Sequence, residues 1–385
     1  MTAVVIVGGG AMGAALAWTL VSDPGFDGAV TVLERDPTYA TASTTLSAAG
    51  IRTQFSAPEN IRLSRYGWRF LERAGDLLGV DVGLRERGYL TLASDPATLR
   101  ANHAVQIAEG ASVALLTPEA LAARFPWLSV EGVALGALGL KEEGWFDAAT
   151  LLQGWRASAI RRGARFETAE ATGFHRDGDR VVAVETTDGR VFPCAVAANC
   201  AGPWAGRVAA WAGVTLPVRP GKRTVFHFLC REAAEAAAES PLVVDVSGVW
   251  MRPEGAGFIA GVSPAPEADP EAADFDPEWA LFEERIWPAL ATRAPCFEAV
   301  RVVRAWAGWY EMNDWDANAL LGPAPGAPNL LHAAGFSGHG VQQAAGAARV
   351  LADRIVHGRS LTISAEALSA DRFAKGRRVR ERAVI

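Results

Sequence analysis

A glycine-rich turn set between an apolar strand and a helix constrains this chain more than any other feature. Residues Ala3–Val7 read AVVIV, a short, continuously apolar and mostly β-branched run, which is the pattern of a strand buried on both faces of a parallel sheet. Gly8-x-Gly10-x-x-Gly13 follows at once, with Ala11 and Met12 inside the turn. The helix formers Ala14–Val21 come next, Pro24-Gly25 ends the helix, and Ala29–Glu34 (AVTVLE) reads as a second strand. This βαβ order gives each glycine a job: Gly8 permits the tight turn, Gly10 lets backbone approach a pyrophosphate, and Gly13 lets helix and strand pack closely. The helix N-terminus adds N–H donors and the positive end of a dipole. Glu34, followed by Arg35, stands about 20 residues past the last glycine, where a carboxylate accepts hydrogen bonds from ribose hydroxyls and repels a 2′-phosphate. The motif suits flavin and nicotinamide dinucleotides equally, since both present adenosine diphosphate in the same way.

A single core stops growing near about 250–300 residues, so a chain of 385 is expected to hold two interleaved domains. Helical periodicity at Ala148–Arg162, a strand at Val181–Thr186 and another at Ala195–Ala201 are read as rejoining the first sheet. Strand-like runs at Tyr89–Ala93, Arg223–Leu229, Gly248–Arg252 and Gly257–Gly261, with an acidic Pro-rich insert at Pro264–Pro277, read as an antiparallel sheet covering a ligand. The expected division is 1–86, 146–217 and 320–385 for the dinucleotide domain, and 87–145 and 218–319 for the substrate domain. The net charge of -6 argues against nucleic acid as a partner, and the basic run Arg372–Arg382 reads as a solvated terminal helix or strand. Four cysteines without a C-x-x-C pair and without metal-ligand spacing to the six histidines suggest a reduced compartment and no metal. The chain enters its first strand at Ala3 with no apolar leader, and no stretch of about 18 residues is apolar enough to span a bilayer, so a cytoplasmic location is expected.

Several further segments carry a resemblance: VVIVGGGAMG at 4–13, VLERD at 32–36, ASTTLSAAGIR at 42–52, ANCAGPWA at 198–205, AGWYEMNDWDANALLGPAP at 307–325 and AAGFSGHGVQQA at 333–344. Together they resemble the D-amino-acid oxidase superfamily of FAD enzymes, which includes glycine oxidase, sarcosine oxidase and D-amino-acid dehydrogenase. Segments 54–64, 142–154 and 243–255 resemble a branch containing a mitochondrial respiratory-complex assembly flavoprotein. The resemblance implies an α/β fold: a Rossmann-like FAD domain of the glutathione-reductase type with an inserted antiparallel-sheet α+β substrate domain. It implies noncovalent FAD, because Gly308 stands where covalent sarcosine oxidases carry cysteine and Ser47-Ala48-Ala49-Gly50 stands where histidyl-linked relatives carry histidine. It places Ser43, Thr44, Ser47, Ala49, Gly50 and Ile51 along the cofactor, Ala171 near adenine, and Ala201, Gly202 and Trp204 in the same cleft. Gly335, Gly338, His339, Gly340, Val341 and Gln342 would lie under the flavin, where the start of a helix aims N–H groups at the ring edge that gains charge.

The implied reaction is oxidation of the C–N bond of an amino acid or N-alkyl amine by hydride transfer to flavin N5, giving an imine that water hydrolyses. Electrons would pass to O2 or another redox carrier. Arg52 is the candidate for a bidentate contact to a substrate carboxylate, the alternative being a phosphate or another side chain. Tyr310 occupies a substrate-pocket position or is a core aromatic. His339 either contacts flavin or substrate or caps its helix, and Trp250 either faces the flavin or simply packs. A lysine tied to oxygen reactivity would fall near Ile259 and a carboxylate-binding lysine at Gln342, so a dehydrogenase is favoured over a fast oxidase. The competing reading is a flavin-bound assembly or interaction protein with a protein partner and little turnover.

Overall fold

In the computed structural model, which describes residues 2–265 and 268–383, the chain builds two large sheets. The first has six strands in the order Leu320–Ala324, Ala327–Ala334, Val196–Asn199, Ala3–Val7, Ala29–Glu34 and Arg165–Thr168. Neighbours run parallel except at the first pair, an antiparallel edge hairpin. Ala3–Val7 lies inside this sheet, which explains why its apolar run does not alternate. Val4 and Ile6 enter one core with helices Ala11–Val21, Ala148–Arg161 and Gly340–His357, whereas Val5 and Val7 enter another with Val208 and Leu216.

The second sheet has eight strands, in the order Arg301–Asn313, Val218–Leu229, Gly257–Gly261, Trp250–Glu254, Leu242–Val244, Tyr89–Ala93, Leu135–Gly139 and Val113–Leu116. It is antiparallel save for the parallel pair of Leu242–Val244 with Tyr89–Ala93. Alternation along its strands decides which side meets the first domain. Phe226, Phe228, Met251 and Phe258 pack away from it on Phe282 and Phe297, while Tyr89, Val225, Trp250 and Ile259 face Ala48, Trp145 and Trp306. That second face looks onto the 42–50 loop and makes a cleft between the sheets.

Two expectations need correction. Arg180–Thr186 does not rejoin the first sheet; it is the middle strand of a separate meander with Ala171–Asp177 and Val191–Pro193. The turn at Asp188-Gly189 is short enough to return the chain antiparallel to itself, and a local hairpin forms before any distant parallel pairing. The segment Arg372–Arg382 is not a simple solvated element. Arg372 is buried in an ion pair with Asp316 at 2.8 Å, and Glu381 is only 2 % exposed. Within the acidic insert, residues 266 and 267 lie outside the described residues; its Asp269 and Asp274 pair with Arg223 and Lys222 at 2.8 and 2.9 Å. No helix among the described residues is long and apolar enough to cross a membrane.

Candidate active site

The glycine turn builds one end of the cleft. Gly8 has φ +96° and packs against Cys200, where a Cβ would meet the carbonyl oxygen at 2.4 Å. A Cβ on Gly13 would stand 1.9 Å from the Gly8 carbonyl oxygen, so only glycine lets helix and strand approach this closely. Gly10 precedes helix Ala11–Val21 without any side-chain cap, and Thr44 Oγ1 accepts from Ala11 N at 3.0 Å, tying the later loop to the turn. Glu34 accepts from Gly9 N at 2.7 Å and Asp36 N at 2.9 Å. Gly8, Gly10, Ala11, Met12, Glu34 and Arg35 all line the cleft between the sheets. Ala171, Ala201, Gly202 and Trp204 line it too, with the Arg35 guanidinium 3.8 Å above the Trp204 ring.

Farther along the cleft come Ser43, Thr44 and Ser47, then Tyr310, Gly338, Gly340 and Val341. Ser43 donates to Trp309 O at 2.6 Å, which stitches the loop to the second sheet. Gly338 has φ +96°, and a Cβ there would stand 2.3 Å from the Tyr310 ring. Helix Gly340–His357 starts without a side-chain cap, so its first N–H groups are free to face a ligand. Gly335 sits behind the cleft wall and donates to Glu311 at 3.1 Å. Ala49, Gly50 and Ile51 are set back from the cleft: Ala49 has φ 53°, and Gly50–Ile51 pairs with Gly144–Trp145. Trp250 packs on Gly261 and lines a small pocket with Ser47, Gly308 and Tyr310.

Arg52 and His339 come together beside this end. Arg52 is 3 % exposed, its Nη2 lies 3.2 Å from His339 Nε2, and its guanidinium stacks 4.0 Å over Phe55. It also donates to the carbonyl oxygens of Gln54 and Ala383. These partners are uncharged, and no carboxylate among the described residues pairs with it. Burial pulls the pKa of Arg52 below the ordinary guanidinium value. Burial and the adjacent Arg52 charge push His339 down to about 3, so the imidazole is neutral. Its ring packs edge-on against Phe55 and makes no cap hydrogen bond. The Gln342 side chain accepts from Arg52 N at 2.9 Å and Ser64 Oγ at 3.3 Å, fastening the helix to the Arg52 segment.

Three residues were not legible as site groups. Glu311 lines the cleft at 9 % exposure, and burial pushes its carboxyl up to about 8 despite hydrogen bonds from the Gly335 and Phe336 amides. Tyr89 is buried, with its hydroxyl where a Cβ on Gly50 would sit. Glu143 accepts from Thr53 N, Thr53 Oγ1 and Gln54 Nε2 at 2.7–2.9 Å and so shapes the Arg52 loop. Only the acid in AGWYE offered a signal, a lone carboxylate inside an otherwise aromatic strand.

A parallel sheet with a phosphate-binding glycine turn, facing a large antiparallel sheet across one cleft, defines a dinucleotide-dependent oxidoreductase. The chain belongs to the DAO family of FAD-dependent oxidoreductases, whose pattern matches residues 3–354. It is 38 % identical over 423 aligned positions to FAD-dependent oxidoreductase domain-containing protein 1 of Bos taurus, covering 99 % of this chain and 87 % of that protein. Mitochondrial sarcosine dehydrogenase of Mus musculus is 29 % identical over 382 positions, covering 92 % of this chain and 40 % of that one. Among solved structures, L-proline dehydrogenase from P. horikoshii superposes with TM-score 0.86 at 24 % identity over 98 % of both chains. Glycine oxidase from Geobacillus kaustophilus gives 0.80 at 22 % identity over 97 % of this chain and 99 % of that one. The fold is the DAO-type FAD-binding fold and the cofactor is FAD. The cleft fits it: two helix starts whose own N-cap residues offer no side-chain bond, an acid at the end of the second strand and glycines that admit close backbone approach all line one groove.

Proposed function

We propose that the chain oxidises the C–N bond of an amino acid or N-alkyl amine that carries a carboxylate. One observation carries this reading: a buried guanidinium beside the cofactor cleft that has neutral acceptors and no acidic partner. A buried cation whose direct hydrogen-bond partners are all neutral is costly, even with Glu143 and Glu381 nearby, and an incoming carboxylate would exchange the Ala383 carbonyl for a charge-assisted, bidentate contact. FAD would supply the electron-accepting chemistry when bound. The protein would bind the carboxylate through Arg52, keep neutral His339 as a hydrogen-bond partner rather than a second cation, and close the pocket with Tyr310 and Tyr89. A neutral amine entering this site loses its proton to solvent beforehand, so no base on the protein is required. Gly308 supports noncovalent binding, since a side chain there would press within 3.0 Å of Leu46 Cβ. Anaerobic mixing with a panel of N-alkyl and free amino acids is expected to bleach the flavin absorbance; no bleaching by any member rejects the proposal.

The closed state of Arg52, covered by segment 377–383 through the Ala383 carbonyl, favours a second reading in which FAD is held for a structural or assembly role. A stoichiometric partner in pull-downs with a permanently covered Arg52 would support it, whereas turnover would dismiss a purely structural role.

A further inference from the structure

A second cleft opens on the other side of the 42–50 loop. It encloses about 910 Å³, which falls in the range of small-molecule sites. Ser47 lines both clefts, so one loop separates them. Four arginines line this cleft, Arg85, Arg87, Arg252 and Arg304, against two acids, Asp147 and Glu254. Both acids are engaged: Asp147 caps helix Ala148–Arg161 through Thr150 N at 2.9 Å, and Glu254 is bonded to Arg252. Arg87 is paired with Glu239. Arg85 and Arg304 are exposed and join no ion pair among the described residues. The local balance is therefore cationic on a chain whose net charge is -6.

The same walls carry flat aromatic surface. Trp145 lies 5.0 Å from the Arg252 guanidinium and Trp306 lies 5.1 Å from that of Arg304. Trp306 is fixed by donating to Leu46 O at 2.9 Å, and apolar Ile259 adds to the lining. Arg252 is 4 % exposed, and its Nε has no partner although Nη1 and Nη2 donate to Pro253 O and Ala48 O. A buried donor left without an acceptor costs free energy, so Arg252 carries a charge that its own surroundings do not fully satisfy. Flat indoles with flanking guanidinium groups suit a ligand that is both planar and anionic.

We propose that this cleft binds a planar aromatic anion of the quinone class, which takes up the electrons removed from the amine; the acceptor role rests on the amine-oxidation reading, the binding does not. The reaction balances as follows: a secondary amine, a quinone and a water molecule give a carbonyl compound, a primary amine and a hydroquinone. The amine loses a hydride from carbon and a proton from nitrogen to become an imine, and water then adds across the C=N bond, which breaks to release the primary amine. The quinone takes up the same two electrons and two protons.

Anthraquinone-2,6-disulfonate is the probe, titrated into the FAD-loaded protein with tryptophan fluorescence as readout. Saturable one-to-one binding is expected, weakened at least tenfold in the Arg85→Glu/Arg304→Glu double variant and by added salt, with cationic methylene blue binding more weakly. Both substituted side chains are exposed, and a thermal melt verifies folding. Absence of saturable binding, or the same affinity in the double variant, overturns the site. Photochemically reduced protein should be reoxidised anaerobically by the probe at least tenfold more slowly in the double variant at subsaturating probe; equal rates overturn the acceptor role. Bleaching by amines is measured separately, so its failure bears on the oxidation reading and leaves the binding result intact.

Discussion

At the scale of single residues, Glu311 and Arg52 carry buried charge chemistry of opposite kinds. Glu311 keeps its proton up to about pH 8 in the folded chain, mainly because burial disfavours the carboxylate, with Cys200 its titratable neighbour. The unfolded chain releases that proton near 4.5. A raised folded pKa means the associated stability is complete below pH 4.5 and is lost as pH rises through about 8. Glu311→Gln keeps an acceptor for the Gly335 amide but cannot ionise. Urea denaturation of wild type and variant is expected to diverge across this window, the wild type falling by a few kcal/mol at about 1.4 kcal/mol per unit; parallel curves would show Glu311 to be ionised throughout. Arg52→Met is expected to raise the concentration of a carboxylate-bearing amine needed for half-maximal bleaching about 100-fold or more, the loss typical of truncating one side of a buried charge contact. An amine lacking the carboxylate should respond to wild type and variant alike. Arg52 could be singled out in the sequence from its place beside the flavin loop, but its lack of an acidic partner could not, because that depends on which residues fold around it.

At the scale of elements, strand–turn–helix units were the most legible parts. Ala3–Val7, Ala29–Glu34, Tyr89–Ala93 and Gly257–Gly261 stand as read, since local periodicity and punctuation decide them. Val181–Thr186 was read into the wrong sheet because a strand's pattern shows that it pairs, not with what. Two substitutions test how tightly the elements are set. Gly338→Ala places a methyl against Tyr310 at a φ that alanine resists, and flavin affinity measured by fluorescence is expected to drop at least tenfold. Thr44→Ala removes the acceptor for Ala11 N, with an expected cost of about 1 kcal/mol in chemical denaturation of the apoprotein.

At the scale of the whole molecule, the segment 377–383 reaches back to the Arg52 region through Ala383 and Glu381. Glu381 accepts from Ser56 N, Ser56 Oγ, Ala57 N and Asn60 Nδ2 at 2.7–3.1 Å, supplying a side-chain acceptor where helix Pro58–Glu72 has only Ala57 as its N-cap. Glu381→Ala is expected to cost about 3 kcal/mol in urea denaturation. It should also tighten binding of a carboxylate-bearing amine, because the Ala383 carbonyl no longer competes for Arg52; unchanged affinity would show that this segment does not guard the site. The division into 1–86, 146–217 and 320–385 against 87–145 and 218–319 remains a proposal, to be tested by mapping the boundaries of limited proteolysis. The amino-acid sequence alone determined the dinucleotide turn, because glycine spacing, an acid at the end of a strand and apolar runs are local signals, while the family and FAD rested on the resemblance of longer segments such as 42–52 and 333–344. Only the tertiary structure decided that Arg52 is buried without a directly bonded carboxylate, that Glu311 holds its proton inside the cleft, and that a cationic, tryptophan-lined cleft lies across the 42–50 loop. Each of these is a balance of desolvation against partners far apart in the chain, and no linear pattern contains that distance.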